Sequence, residues 1–468
     1  MRTTALRWAE EEFGTTNLRD VRRTRRLVAM AAGVAARPSG KVSSVFDRQK
    51  EREGAYDFLE NDAVDVASLA NSVFAATVRR AQGEPFVYVA IDGSSLSLTD
   101  DLGSKGFGPV GSPNTPVKGL MEMGALAVTR KGVPLGLVDQ AFWVREPTEL
   151  MTSAERTKRN QARSFEEKEP HRFVVAAKNA HERLAAVGTK AWVLIDREGD
   201  SRDILLALHQ TGCCFTVRAK WNRKVRDEIE PNVQGVLDSA PALGAFEIEI
   251  PRNGKRAART ATLEVRAAQV VLDFKTNGRP QEALRLFAVR VREHGERDNA
   301  PDWLLYTNVP VLTAEHAQQI IDGYRARWRI EEFHRTWKQG DCNVEDAQLR
   351  SFDAVVRWAT VLAAVATRIE RLKYLSRVTP DEPATIELVD EEIEALKLDQ
   401  RRRGVTKKKR LPKMPTIGEA TRWVAELGGW IGLRNGPPGS VTISRGLERL
   451  GYLVEGIALA RGRSGLPT

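Results

Sequence analysis

The sequence predicts an α/β protein, a mixed-sheet core with helical regions at both ends, and three observations carry that expectation. Two continuous apolar runs, Phe86–Ile91 (FVYVAI) and Ala191–Ile195 (AWVLI), read as strands covered on both faces, and an aspartate closes each, Asp92 and Asp196. Around them the order is strand, hairpin, helix, strand, helix, strand, which builds one layered sheet. Residues 313–339 contain no Pro and one Gly, and they open on Thr313 with Glu315 close behind, a helix start.

The bounds fit that picture. A chain of 468 residues exceeds the size at which single cores stop growing, so two to four domains are expected. Hydrophobic content of 42% and charged content of 29% describe a soluble globular protein. Lys plus Arg number 72 against 62 for Asp plus Glu, a net charge of +10 that favours a polyanionic partner. Cys213, Cys214 and Cys342 form neither a zinc-ligand pattern nor a disulfide framework, as suits a reducing compartment. The opening residues lack a signal-peptide core, and no stretch approaches the ~18 apolar residues of a membrane span. A soluble intracellular protein is expected, with no membrane partner.

In chain order, residues 1–75 read as helices: Ala5–Phe13, Leu18–Ala36 ending before Pro38, and Val42–Leu59. The second carries Arg22, Arg23 and Arg26 among five arginines. Such a face is either solvated or docked on duplex DNA, where phosphate contacts set position. After the first strand, residues 99–118 are rich in Gly, Pro and Ser and read as an irregular loop. GALAVT and VPLGLVDQAFWV then form a hairpin across Arg130-Lys131-Gly132. Two helices in 147–187, the strand AWVLI, a helix (Arg202–Leu208) and a strand (Cys214–Val217) complete a ribonuclease-H-like order. In such sheets the carboxyl ends of the strands, where Asp92 and Asp196 fall, form the site.

Residues 219–300 interrupt that core with short strands, Phe246–Ile250, Ala261–Ala267, Val270–Leu272 and Leu284–Val291, an inserted β domain with Arg218 and Lys220 at its start. Trp303 follows its end. Ala354–Leu372 reads as an amphipathic helix. Residues 380–415 read as a linker with an acidic run (Asp390–Glu394) and basic runs (Arg401–Arg403, Lys407–Arg410), and two helices, Ile417–Leu427 and Ser444–Leu459, close the chain. The expected division is a helical N-terminal domain (1–75), a ribonuclease-H-like core in two parts (76–218 and 301–375), the inserted β domain (219–300) and a C-terminal helical region (376–468).

Spacing places the chemistry. An α-helix turns about 100° per residue, so with Tyr324 at zero, Arg327 falls near ~300°, Glu331 near ~340° and Lys338 near ~320°. These four share an arc of about 60°, while Ala326, Ile330, Phe333 and Trp337 make an apolar stripe opposite. A charged solvent face would look similar, but cations grouped around one acid suit a polyanion better.

Tyr324, Arg327, Glu331 and Lys338, separated by two, three and six residues, resemble the Tyr-Arg-Glu-Lys signature of insertion-sequence-four-type DDE transposases. VAIDGSSLSL and IDREGD are similar to that family's two aspartate motifs, and WAEEEFG with the following arginines and AYDFLEND to its end-recognition region. Lys118–Ala125 departs from the family pattern. The resemblance implies a cut-and-paste enzyme that binds transposon ends, cleaves both strands through a hairpin and joins the 3′ ends to target DNA. It makes Asp92, Asp196 and Glu331 the catalytic carboxylates and ligands of two divalent ions, Mg²⁺ or Mn²⁺. It sets Tyr324, Arg327, Lys338, Arg218 and Lys220 on DNA, Trp303 against a flipped base, and a homodimer on double-stranded DNA. The chemistry is consistent, since hard divalent ions prefer carboxylate oxygen and two of them can stabilise attacking and leaving oxygens. A stand-alone metal-dependent nuclease and a catalytically inactive DNA-binding regulator are the competing readings.

Overall fold

The computed structural model describes residues 4–100, 103, 105–111, 117–146, 152–227, 229–250, 257–275, 280–293, 301–404, 411–432, 434 and 436–462. The basic run Lys407–Arg410 and residues 101, 102, 104 and 112–116 of the loop expected at 99–118 lie outside them; within that loop Gly108–Val110 and the start of Val117–Val128 are strands instead. The chain divides into two compact units. One comprises Met1–Ala81, Gly93–Leu150 and Arg329–Thr468, the other Gln82–Asp92 and Met151–Trp328.

The first unit opens with helices α1 (Thr4–Phe13), α2 (Val21–Ala36), α3 (Val42–Val45), α4 (Gln49–Leu59) and α5 (Val66–Ala81). Asp20 caps α2 by accepting the Arg22 N–H at 2.8 Å. The single helix expected over 42–59 is two, because Phe46 and Arg48 take extended backbone and the Phe46 ring packs against Gly33. The sequence reading missed α5.

Strand β1 (Phe86–Ser97) runs through both units, so Asp92 does not end it as expected. Its later part meets β3 (Val117–Val128), which pairs with β2 (Gly108–Val110) and with β4 (Pro134–Trp143). The Leu98 N–H donates to the Lys118 carbonyl at 2.9 Å, an extended partner that outweighs the turn tendency of Gly93-Ser94-Ser95.

The second unit holds α6 (Ser153–Ala162), α7 (His171–Ala185), β5 (Lys190–Ile195), α8 (Arg202–Thr211), β6 (Cys214–Arg218), α9 (Val233–Ser239), β7 (Ala242–Ile250), β8 (Arg259–Phe274), β9 (Glu282–Glu293), β10 (Asp302–Thr307) and α10 (Ala314–Ala326). Its strand order is β1-β5-β6-β10-β9-β8-β7; β1, β5 and β6 are parallel and the rest antiparallel. Residues 219–300 thus supply strands that prolong this sheet through β10, and the two short strands expected over 261–272 are one. Gly212, with φ 74°, closes α8 in the left-handed conformation that glycine adopts without strain.

The chain then returns to the first unit with α11 (Trp328–Lys338), α12 (Phe352–Val378), α13 (Asp390–Arg402), α14 (Ile417–Leu427) and α15 (Ser440–Ala460). The long helix expected over 313–339 is interrupted at Arg327 for one residue. The backbone there stays right-handed (φ −52°, ψ −34°), and its N–H still reaches the Gly323 carbonyl at 3.1 Å. Expected to be amphipathic, α12 is instead buried nearly all round, including Arg357, Arg368, Glu370 and Lys373. The linker expected over 380–415 contains α13: Ile393, Ala395 and Leu396 join a core cluster with α14 and α15, and buried Gln400 donates to Glu426 at 2.7 Å.

Candidate active site

Parallel pairing of β1 with β5 aligns Ala90 with Leu194. Asp92 stands two residues beyond that last pair on β1, and Asp196 two residues beyond it on the other side, just past the end of β5. Apolar burial fixes both strands, since Val87–Ile91 and Ala191–Ile195 are buried without exception. Asp196 caps a short 3₁₀ turn (Arg197–Gly199), and its Oδ1 accepts the Glu198 N–H at 2.8 Å. Four residues on, Asp200 is wholly buried. It accepts the N–H groups of Lys220 (2.6 Å) and Trp221 (3.0 Å) and pairs with Arg223 Nε at 2.7 Å. The turn behind Asp196 thereby anchors the loop that follows Arg218, a role sequence reasoning missed although the acid stands within DREGD.

Helix α10 brings a second set of side chains to Asp92. Gly323 lets the helix settle on the Tyr88 ring, and the Tyr88 hydroxyl donates to the Gln319 carbonyl at 2.9 Å. Arg327, its side chain only 8% exposed, holds Nη1 4.0 Å from Asp92 Oδ2. Tyr324 packs edge-on against Trp303 (ring centroids 5.4 Å apart), and its hydroxyl lies 3.4 Å from Arg218 Nη1. Arg218 and Arg327 both stand over the Tyr324 ring, 5.9 and 6.0 Å from its centroid. This unit therefore gathers Asp92, Asp196, Arg218, Trp303, Tyr324 and Arg327. Exposed Lys220 stands over Trp221 at 5.2 Å.

In the other unit, Glu331 is half-buried on α11, whose apolar stripe, Ile330, Phe333 and Trp337, is fully buried as expected. Trp337 Nε1 donates to the Ala359 carbonyl at 3.1 Å, fastening α11 to α12. The Lys338 amine reaches Ser94 Oγ (3.3 Å) and the Ser95 carbonyl, in the segment of β1 just after Asp92, and also Glu345 Oε1 (3.6 Å). Of the N-terminal arginines, Arg22 is 86% exposed and paired with Asp20 at 3.1 Å. Arg23 turns back to the Leu18 (3.2 Å) and Ala63 (3.4 Å) carbonyls, and exposed Arg26 lies over Gly54.

Residues 5–64 match the Transposase DNA-binding family, residues 158–368 the Transposase DDE domain, and residues 364–466 the Transposase Tn5 dimerisation domain. The chain belongs to the Tn5-like DDE transposases of the insertion-sequence-four family. The DDE match covers Asp196, Trp303, Tyr324, Arg327, Glu331 and Lys338, whereas Asp92 precedes it. A DDE domain has a ribonuclease-H-like fold, so the transposase is a metal-dependent enzyme that cleaves DNA and transfers strands. Its terminal families make it a DNA-binding, dimer-forming protein. Among the described residues, no helix is long and apolar enough to cross a membrane.

The donor chemistry fits a divalent cation. Among the described residues no three His, Cys, Asp or Glu side chains close into a cage. Mg²⁺ in phosphoryl-transfer sites is commonly held by one or two carboxylates together with substrate oxygens and water. Asp92 and Asp196 are carboxylates of that character.

Proposed function

We propose that this transposase cuts an element from DNA at its ends and inserts it elsewhere, using Asp92, Asp196 and Glu331 as the ligands of two divalent ions, Mg²⁺ by preference. The observation that supports the reading is that Asp92 and Asp196 each stand two residues past the last pair of β1 with β5, Ala90 and Leu194, with Arg327 4.0 Å from Asp92. Bound there, the cations supply Lewis acidity that favours deprotonation of the attacking water or 3′-hydroxyl and offsets charge on the phosphoryl group.

The remaining roles belong to the chain itself. Arg327 grips a phosphate with its planar fork, Lys338 adds a point charge, and the Tyr324 hydroxyl donates one hydrogen bond to the same backbone. Arg218 and Lys220 hold the DNA alongside. In the first step water attacks a phosphodiester, a new P–O bond forming as the P–O3′ bond breaks and the 3′-oxygen leaves as a hydroxyl. In the second, that hydroxyl attacks the opposite strand, forming a hairpin and releasing flanking DNA. Trp303 receives the base flipped out by the bend, and stacking contributes about 1–3 kcal/mol. Water then attacks the hairpin phosphodiester and restores the 3′-hydroxyl. Attack by these 3′-hydroxyls on target phosphodiesters, each displacing a target 3′-oxygen, joins the element to its target.

We assign end recognition to 1–75 with Arg22 and Arg26 on phosphates, catalysis to 76–218 with 301–375, an accessory β segment to 219–300, and pairing of two protomers on DNA to 376–468. The enzyme's place is the nucleoid of a bacterial cytoplasm, where its substrate lies. The test is cleavage of a labelled end duplex in Mg²⁺. Asp92→Ala, Asp196→Ala and Glu331→Ala should each abolish nicking while end binding persists, and near-normal nicking by any one removes that residue from the metal site.

A further inference from the structure

The helix carrying Glu331 is held from behind by a buried polar network that the chemistry above does not use. Glu332, its neighbour in sequence, receives Lys373 Nζ at 3.3 Å, Arg329 Nη1 at 3.3 Å and the Tyr374 hydroxyl. Lys373 also pairs with Glu370, whose Oε1 accepts from Thr336 Oγ1 and from Ser440 Oγ, each at 2.6 Å. The Lys373 and Glu370 side chains are 5% and 1% exposed. The participants come from α11, α12 and the first residue of α15.

Burying this much charge is tolerated only when every partner is in place and well oriented. Burial alone would raise the Glu332 pKa, but Lys373, the Tyr374 hydroxyl and Arg329 together hold it below the ordinary carboxylate value. Consecutive helical residues point about 100° apart, so whatever fixes Glu332 fixes the direction of Glu331. The apolar stripe of α11 sets its depth against the core but tolerates small rotations, whereas bonds to one carboxylate do not.

We propose that Glu332 and Lys373 are positioning residues that set the rotation of α11 and so aim Glu331 at the metal. The segment matching the dimerisation family, which contributes Glu370, Lys373, Tyr374 and Ser440, thereby becomes a working part of the catalytic apparatus. This rests on reading Glu331 as a metal ligand.

The experiment uses the full-length protein bound to an end duplex whose own Mn²⁺ binding is subtracted. Mn²⁺ affinity is measured by electron paramagnetic resonance, and the Mg²⁺ concentration giving half-maximal nicking is measured beside it. Lys373→Met should weaken Mn²⁺ binding and raise the Mg²⁺ requirement, each by about tenfold, the scale seen when groups supporting a metal ligand are lost. End binding should be unchanged. Glu332→Gln keeps the acceptor oxygen for Tyr374 but loses the charge, and should fall between wild type and Lys373→Met. Wild-type values for Lys373→Met, with both readouts impaired in Glu331→Ala, would overturn the proposal and leave the role of Glu331 standing. Wild-type Mn²⁺ affinity in Glu331→Ala would sink the premise and the proposal with it. If Lys373→Met does not fold, Glu332→Gln decides, and an unchanged Mn²⁺ affinity there overturns the idea.

Discussion

A β-carbon on Gly323 would come within 2.6 Å of Cε1 of Tyr88, so the ring and the helix occupy adjoining space that only glycine leaves open. The next residue is Tyr324, and Arg327 follows one turn later. Any side chain at position 323 must lift α10 from β1 or displace the ring. Gly323→Val should therefore cut the nicking rate by about two orders of magnitude, as displacements near 1 Å do in preorganised sites. End binding, assigned to another part of the chain, should persist. Nicking within twofold of wild type would show that the clamp does not depend on this seat.

The N-terminal arginines separate by what they touch. Arg22 and Arg26 are exposed, whereas Arg23 is turned to the Leu18 and Ala63 carbonyls. Neutralising Arg22 and Arg26 should lower DNA affinity at every sequence and flatten the plot of log affinity against log salt by roughly one unit per contact. Arg23→Ala should instead lower the urea midpoint by about 1–2 kcal/mol of stability, the scale of lost charged hydrogen bonds. A salt slope that moves for Arg23 and not for the other two would reverse the assignment.

Trp303 separates hairpin formation from nicking. Its ring is half-buried and meets Tyr324 edge-on. Trp303→Ala should spare the first nick and slow conversion of pre-nicked ends to hairpins by roughly 10- to 100-fold, the kinetic equivalent of lost base stacking. Equal losses in both steps on denaturing gels would reduce Trp303 to a packing residue.

Cys342 offers a probe of the network behind Glu331. Its thiol is fully buried, and burial, with Asp341 and Glu370 nearby, pushes its pKa well above the ordinary value. A raised pKa leaves almost no thiolate at pH 8, and thiolate is the form that reacts. Alkylation of Cys342 in the folded protein should be slower than in the urea-unfolded chain by more than about tenfold. Comparable rates in the folded and unfolded protein would contradict the buried placement.

Much of the site could be read from sequence because its logic is local. An apolar run closed by an acid marks a strand end at Asp196, though not at Asp92, where β1 runs on, and helical spacing foretells that Ile330, Phe333 and Trp337 face the core. The parts that escaped depend on distant partners. Gly93-Ser94-Ser95 resembles a turn until Lys118 is found opposite Leu98. The charged residues of α13 resemble a linker until Glu426 meets Gln400. The charges on α12 conceal a helix buried nearly all round, since composition cannot show that Lys373 and Glu370 lie against each other.

Helix α12 also sets a timetable for synthesis. Trp358, on α12, donates to the Gly40 carbonyl at 2.7 Å across 318 residues of chain. A ribosome adding roughly 5–20 residues per second needs about 15–60 s to cover that distance. Throughout that interval the apolar faces of α2 and α4 have emerged while the helix that covers them has not yet been made. The first unit, assembled from three separated stretches, can close only near the end of translation, and during that window the nascent N-terminal helices are open to chaperones.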